Sequence, residues 1–146
     1  MANEAQKDPR KEVRFPVSFE DWFRMGLYQI GPVRADTEYT GDPNRPGPQK
    51  FDPVTKTKVW KIKVTDAAEE KATRTSYDVL LLADEEPEPT TAEIAPFVRP
   101  IALTGVTVQP RVAGQGEFKY LAYTVRATGY APAPSARSGG PGPKSA

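Results

Sequence analysis

The stretch Lys58–Asp66, KVWKIKVTD, decides the fold class. Its apolar residues Trp60, Ile62 and Val64 recur at every second position, with Lys61, Lys63 and Thr65 between them. Successive side chains of an extended chain point to opposite faces, so this alternation predicts a strand with one face in a core and the other in water.

The same period recurs on both sides. Phe118–Tyr130 (FKYLAYTVRATGY) alternates Leu121, Tyr123, Val125 and Ala127 with Tyr120, Thr124 and Arg126, and it predicts a second strand. Ser76–Ala83 predicts a third, buried on both faces at its end, and Ile101–Val112 a fourth, with Gly105 marking a bulge and Pro110 an edge or strand end. Met25–Glu38 predicts a fifth, bent at Gly31-Pro32, and a short extended piece at Val13–Phe19 precedes it. Helix signals are poor. Ser18 caps a single acidic turn through Trp22 and Phe23, and one further turn fits Thr90–Ala95 between prolines.

The connections complete the pattern. Tyr39–Thr57 is long, basic and rich in Pro and Gly, and ends in the turn sequence Asp52-Pro53-Val54-Thr55-Lys56; Asp84–Pro100 is acidic; Ala113–Glu117 is a tight hairpin loop. A meander of three strands, a longer crossover and a final hairpin predict an all-β fold, a five-stranded OB-like small antiparallel barrel. A β-sandwich is the alternative. The helix usual between strands three and four is expected to be weak or absent.

The chain has 146 residues, which suits one domain. Residues 1–14 hold almost nothing apolar and residues 131–146 are Pro, Gly, Ser and Ala with two basic residues, so both ends are expected to be disordered tails around a domain at 15–130. Neither a signal-peptide pattern nor a membrane-length apolar run occurs, and the expected location is cytoplasmic. Net charge is only +1 but unevenly spread: six basic residues face Asp52 alone between Arg45 and Lys63, and nine acidic residues face two basic ones between Asp66 and Glu93. Such a layout predicts a basic face and an acidic edge, or ordinary solvated charge.

Catalysis finds little support in these residues. Without His or Cys, the commonest general base, the thiol nucleophile and the usual zinc ligands are missing. No Ser-x-x-Lys spacing or phosphate-binding loop occurs, and the acidic run Asp84-Glu85-Glu86-Pro87-Glu88 lacks the ligand spacing of a calcium loop. The expectation is a non-enzyme with no cofactor, no metal and no small-molecule substrate.

Single-strand binders combine a basic groove with aromatic faces for stacking bases. Lys61 and Lys63 share the outward face of their strand, and Arg45, Lys50, Lys56 and Lys58 extend that charge through the adjacent loop. Phe118, Tyr120 and Arg126 lie on one face of the last strand, and Tyr28 and Arg34 add to the surface from the first. In an OB barrel these positions converge. The competing reading is that the aromatics fill or cap the barrel. The acidic residues Asp84, Glu85, Glu86, Glu88 and Glu93 form either a cover over the basic face or a contact for a basic protein.

Three stretches carry a family likeness. Phe51–Trp60 (FDPVTKTKVW) resembles the Asp-x-x-Thr-Gly-x-x-x-Trp turn and strand of the actinomycete plasmid replication, integration and excision activators, with Lys56 in place of the turn glycine. Phe97–Pro110 resembles that family's Pro-aliphatic-x-aliphatic-x-Gly-aliphatic-x-Val-x-Pro strand, and Leu121–Gly129 its Leu-Ala-Tyr-x-aliphatic-Arg-Ala pattern. The likeness spans about Gly26 to Gly129, apart from a long Tyr39–Lys50 insertion. It implies a mobile-element accessory protein that supports replication or transfer, with single-stranded DNA or a replication or helicase protein as partner. A transcriptional activator of replication and excision genes and a protein-binding adaptor are the alternatives.

Overall fold

A computed structural model of the chain describes residues 13–70 and 75–132. Its elements in chain order are β1 (Phe15–Pro16), α1 (Phe19–Trp22), β2 (Leu27–Ala35), β3 (Val59–Thr65), β4 (Ser76–Leu82), β5 (Val98–Ile101), β6 (Leu103–Thr104), β7 (Thr107–Gln115), β8 (Phe118–Ala127) and β9 (Gly129–Tyr130). The fold is therefore all-β. Seven strands form one sheet in the order β1-β7-β8-β4-β3-β2-β5, and β6 pairs separately with β9.

The alternating stretch that predicts a strand forms β3. Ile62 and Val64 are fully buried, whereas Lys61 and Lys63 sit half-exposed on the other face. Trp60 packs half-buried against the core's edge and donates its indole N–H to Ala83 O at 2.8 Å. β2, β3 and β4 form an antiparallel meander, and the bend predicted at Gly31-Pro32 appears as a register shift between Ile30 and Arg34. Gly31 makes it at φ +81°, a backbone region that side chains with a Cβ disfavour.

The predicted fourth strand differs from expectation. The run from Val98 to Gln115 is cut into β5, β6 and β7; Gly105 at φ +62° makes the break between β6 and β7, beside Thr128, where a Cβ would come within 2.5 Å of Oγ1. Nor is the sheet wholly antiparallel: β4 and β8 pair in parallel at Leu80↔Arg126 and Leu81↔Ala127. Pro110 lies within β7, whose far edge pairs only with β1 at Val108 and Thr107, so its missing N–H costs no ladder bond there. Ser18 caps α1 as predicted, accepting from the Asp21 N–H at 3.1 Å, and no helix forms between β4 and β5.

The core gathers Phe23, Leu27, Ile62, Val64, Val79, Leu81, Ile101, Leu103, Val106, Val108, Val125 and Ala127. Gln29, 1% exposed, is the polar member. Its amide donates to Gly31 O at 3.0 Å and accepts from the Tyr130 hydroxyl at 2.5 Å, so its burial leaves nothing unpaired. Burial pushes the Tyr130 hydroxyl up to about 12.

Two expectations need correction. Leu121 and Tyr123 continue the buried face of β8 in sequence, yet they are 61% and 40% exposed, because the β7–β8 hairpin runs beyond the core. Arg14 and Ala131 belong to the ordered region rather than to the tails: Arg14 pairs with Asp52, and Ala131 N–H donates to Ala102 O at 2.8 Å. Val13 and Pro132 are exposed, and tail residues 1–12 and 133–146 lie outside the described residues. No helix among the described residues is long and apolar enough to cross a membrane.

Candidate nucleic-acid-binding face

Cross-strand register builds the outward face of the meander. Tyr28 faces Thr65, Ile30 faces Lys63 and Arg34 faces Lys61, placing two apolar and three basic side chains next to one another on β2 and β3. Directly opposed residues on one face have Cβ atoms roughly 5 Å apart, so these groups touch one surface. Tyr28 and Ile30 are 37% and 36% exposed.

The same face continues across β4 and β8. Lys61 faces Leu80, and Leu80 faces Arg126, so Lys61 and Arg126 stand two strand spacings apart, about 10 Å. Tyr120 and Phe118 have the same parity as Arg126 on β8 but lie six and eight residues further along it, about 20 Å or more away up the hairpin. The aromatic and basic residues therefore share a sheet face without converging on one groove. Phe118, 84% exposed, fills no core.

Carboxylates sit on this face as well. Asp36 lies between Lys50 at 3.7 Å and Lys61 at 3.6 Å, and Asp78 pairs with Lys63 at 3.4 Å. Arg34 has no ion pair among the described residues. In the basic loop, Arg45 is exposed with Asp42 at 4.0 Å, Lys58 is half-buried, and Lys56 stands exposed at φ +65°. Lys56 thus holds the left-handed conformation that glycine adopts most readily.

Asp52 organises the rest of that turn. It is 3% exposed and accepts from the backbone N–H groups of Val54 and Thr55, from the Thr55 hydroxyl, and from both terminal nitrogens of Arg14 at 2.8 and 2.7 Å. Arg126 Nε approaches Asp52 to 3.8 Å while its Nη1 donates to Gln109 at 2.8 Å. Burial alone would raise the Asp52 carboxyl, but the Arg14 pairing and the Thr55 donors outweigh it and hold it at about 2. Arg126, a predicted nucleic-acid contact, is thereby committed to a structural ion network and only 16% exposed in its side chain.

The acidic residues Asp84, Glu85, Glu86, Glu88 and Glu93 are all exposed, and Glu93 pairs with Arg99 at 3.6 Å. None pairs with the β2–β3 lysines. Sequence reasoning misses Asp36, Asp78 and Arg14, whose roles depend on strands or turns brought together from elsewhere in the chain. Ile30 was within reach, since it follows Tyr28 at period two. No group of three or more His, Cys, Asp or Glu suited to a metal ion occurs among the described residues. Comparison with protein-family models, curated proteins and solved structures returns no match to this chain.

Proposed function

We propose that this chain is a non-catalytic binding protein of a mobile element that holds single-stranded DNA on the outward face of β2 and β3. The observation that carries the reading is the register placing Tyr28, Ile30, Arg34, Lys61 and Lys63 side by side. Apolar and aromatic surface for bases next to cations for phosphates is what sequence-tolerant strand binding needs. The mobile-element role rests on the family-like turn and strand motifs of the sequence.

The strand order supports an OB-type barrel as the scaffold. β5 and β7 belong to one run of chain, yet one pairs with β2 and the other with β8 at opposite ends of the sheet order. A bent fourth strand of this kind joins the two edges of a five-stranded Greek-key barrel, whose usual ligand face, strands two and three, is here β3 and β4 and so shares β3 with the proposed surface. A promoter-reading activator finds less support, because the only helix among the described residues has four residues and cannot serve as a recognition helix.

Anisotropy of a fluorescein-labelled thymidine oligonucleotide tests the reading. With Lys50, Lys61, Lys63 and Arg34 as phosphate contacts, the slope of log affinity against log salt is expected near −3, roughly 0.7 per contact. Changing Lys61 and Lys63 together to Glu is expected to weaken binding more than tenfold. No binding at low salt, or binding that the double variant leaves unchanged, would refute it.

A further inference from the structure

The outward face of β2 continues onto β5. Tyr28 faces Pro100 and Ile30 faces Val98 across that ladder, and one step further along it Gly31 N–H donates to Phe97 O at 2.8 Å. Val98 and Pro100 are half-buried, whereas Phe97 is 69% exposed among the described residues. Lys63 faces Ile30 from the other side. A row therefore runs Lys63–Ile30–Val98 across three strands, about 10 Å from end to end, with Phe97 next to its last member.

Local energetics gives no reason for a phenylalanine at this position. Val98 N–H donates to Ala95 O at 3.0 Å, closing a four-residue turn with Pro96 and Phe97 at its centre. Proline fixes a negative φ at the second position and Phe97 holds φ +65° at the third. That is the arrangement of a type II turn, whose third position favours glycine. A side chain with a Cβ is held there at a cost in conformational energy, and this one recovers little of it by burial. The turn is also pinned on both sides, by Gly31 N–H to Phe97 O and by Ile94 N–H to Val98 O at 2.8 Å, so the ring stands on a fixed backbone.

We infer that Phe97 is a stacking platform for a nucleobase, extending the β2–β3 face onto the turn before β5. This rests on the reading of that face as a single-strand site. A flat π-surface takes any base, and the phosphates beside it need cations. Arg34 is exposed, and Lys63, although paired with Asp78 at 3.4 Å, keeps 43% of its side chain exposed. Glu93, the carboxylate of the same segment as Phe97, is paired with Arg99 at 3.6 Å.

Phe97→Gly separates the ring from the turn, because glycine keeps the backbone and removes the platform. With the labelled thymidine oligonucleotide and the full chain, this variant is expected to bind at least fivefold more weakly. The slope of log affinity against log salt should stay as it is, since an uncharged ring contacts no phosphate, and the urea midpoint should hold or rise. Phe97→Trp, which restores a π-face, is expected to bind within about twofold of the unaltered chain. Unchanged affinity in Phe97→Gly overturns the platform and leaves the β2–β3 face standing. A flattened salt slope, a lowered urea midpoint, or a Trp variant as weak as the Gly one also overturns it, because the ring would then act through phosphate contacts or the packing of the fold. Absence of binding by the unaltered chain refutes the face itself and the platform with it.

Discussion

The β3–β4 and β7–β8 hairpins carry the same apolar alternation and meet opposite fates. In the first, Ile62, Val64, Val79 and Leu81 are completely buried. In the second, Val108 and Val125 are buried near the base, but Val112 and Leu121, cross-strand partners further out, are 71% and 61% exposed. The chemistry of the residues is the same, and only what lies over them differs. The end of α1, β5 and β6 supply cover for the meander, while beyond Tyr123, where Trp22 packs, nothing among the described residues covers the arm. Alternation fixes which side chains share a face; tertiary contacts decide whether that face becomes core.

The contrast can be broken most directly by truncation in both hairpins. Ile62→Ala is expected to cost about 2–5 kcal/mol in urea unfolding, through lost burial and the cavity left behind. Leu121→Ala is expected to stay within about 0.5 kcal/mol. Similar costs at the two sites would mean that the arm is covered in solution.

A second contrast separates the buried Asp52 network from the more exposed ion pairs of the basic face. Asp52→Ala removes the carboxylate partner of Arg14, weakens the Arg126 network and frees the turn N–H groups, at an expected cost of about 2–4 kcal/mol. Because the folded carboxyl lies near 2 rather than at its ordinary 3.8, its contribution is present above pH 4 and is lost as pH falls toward 2. That loss amounts to about 2 kcal/mol, and the Ala variant should lack this part of the acid dependence. Asp78→Ala, whose partner Lys63 is 43% exposed, should change stability by less than about 1 kcal/mol.

The smallest expected effect is a gain. Lys56 at φ +65° pays for a conformation that glycine adopts freely, so Lys56→Gly should raise stability by about 1 kcal/mol in the same unfolding assay. A loss would show that the Lys56 side chain makes contacts that outweigh the backbone strain.

Local features of this fold were legible in the sequence because their causes are local. The Ser18 cap, the Gly31 bend, the β3 alternation and the hairpin loop expected at Ala113–Glu117, which β7 narrows to Gly116-Glu117, each follow from a few neighbouring residues. The division of the Val98–Gln115 run was half legible: Gly105 marks the break, but Thr128, which fits against it, is 23 positions away. The parallel β4–β8 contact had no signal, since it depends on how the crossover returns. In the candidate site, Lys61 and Lys63 were legible as outward-facing, whereas the commitment of Arg126 to Asp52 was not. That pairing joins a turn to a strand 74 residues later, and the turn motif itself says only that Asp52 caps the following N–H groups.

The central claim is that the β2–β3 face holds single-stranded DNA, and NMR shift mapping with an unlabelled thymidine oligonucleotide at low salt tests it most directly. The prediction is that the largest shifts fall on Tyr28, Ile30, Arg34, Lys61 and Lys63 and fade as salt rises. Shifts confined to the β7–β8 arm, or no shifts at all, would contradict it.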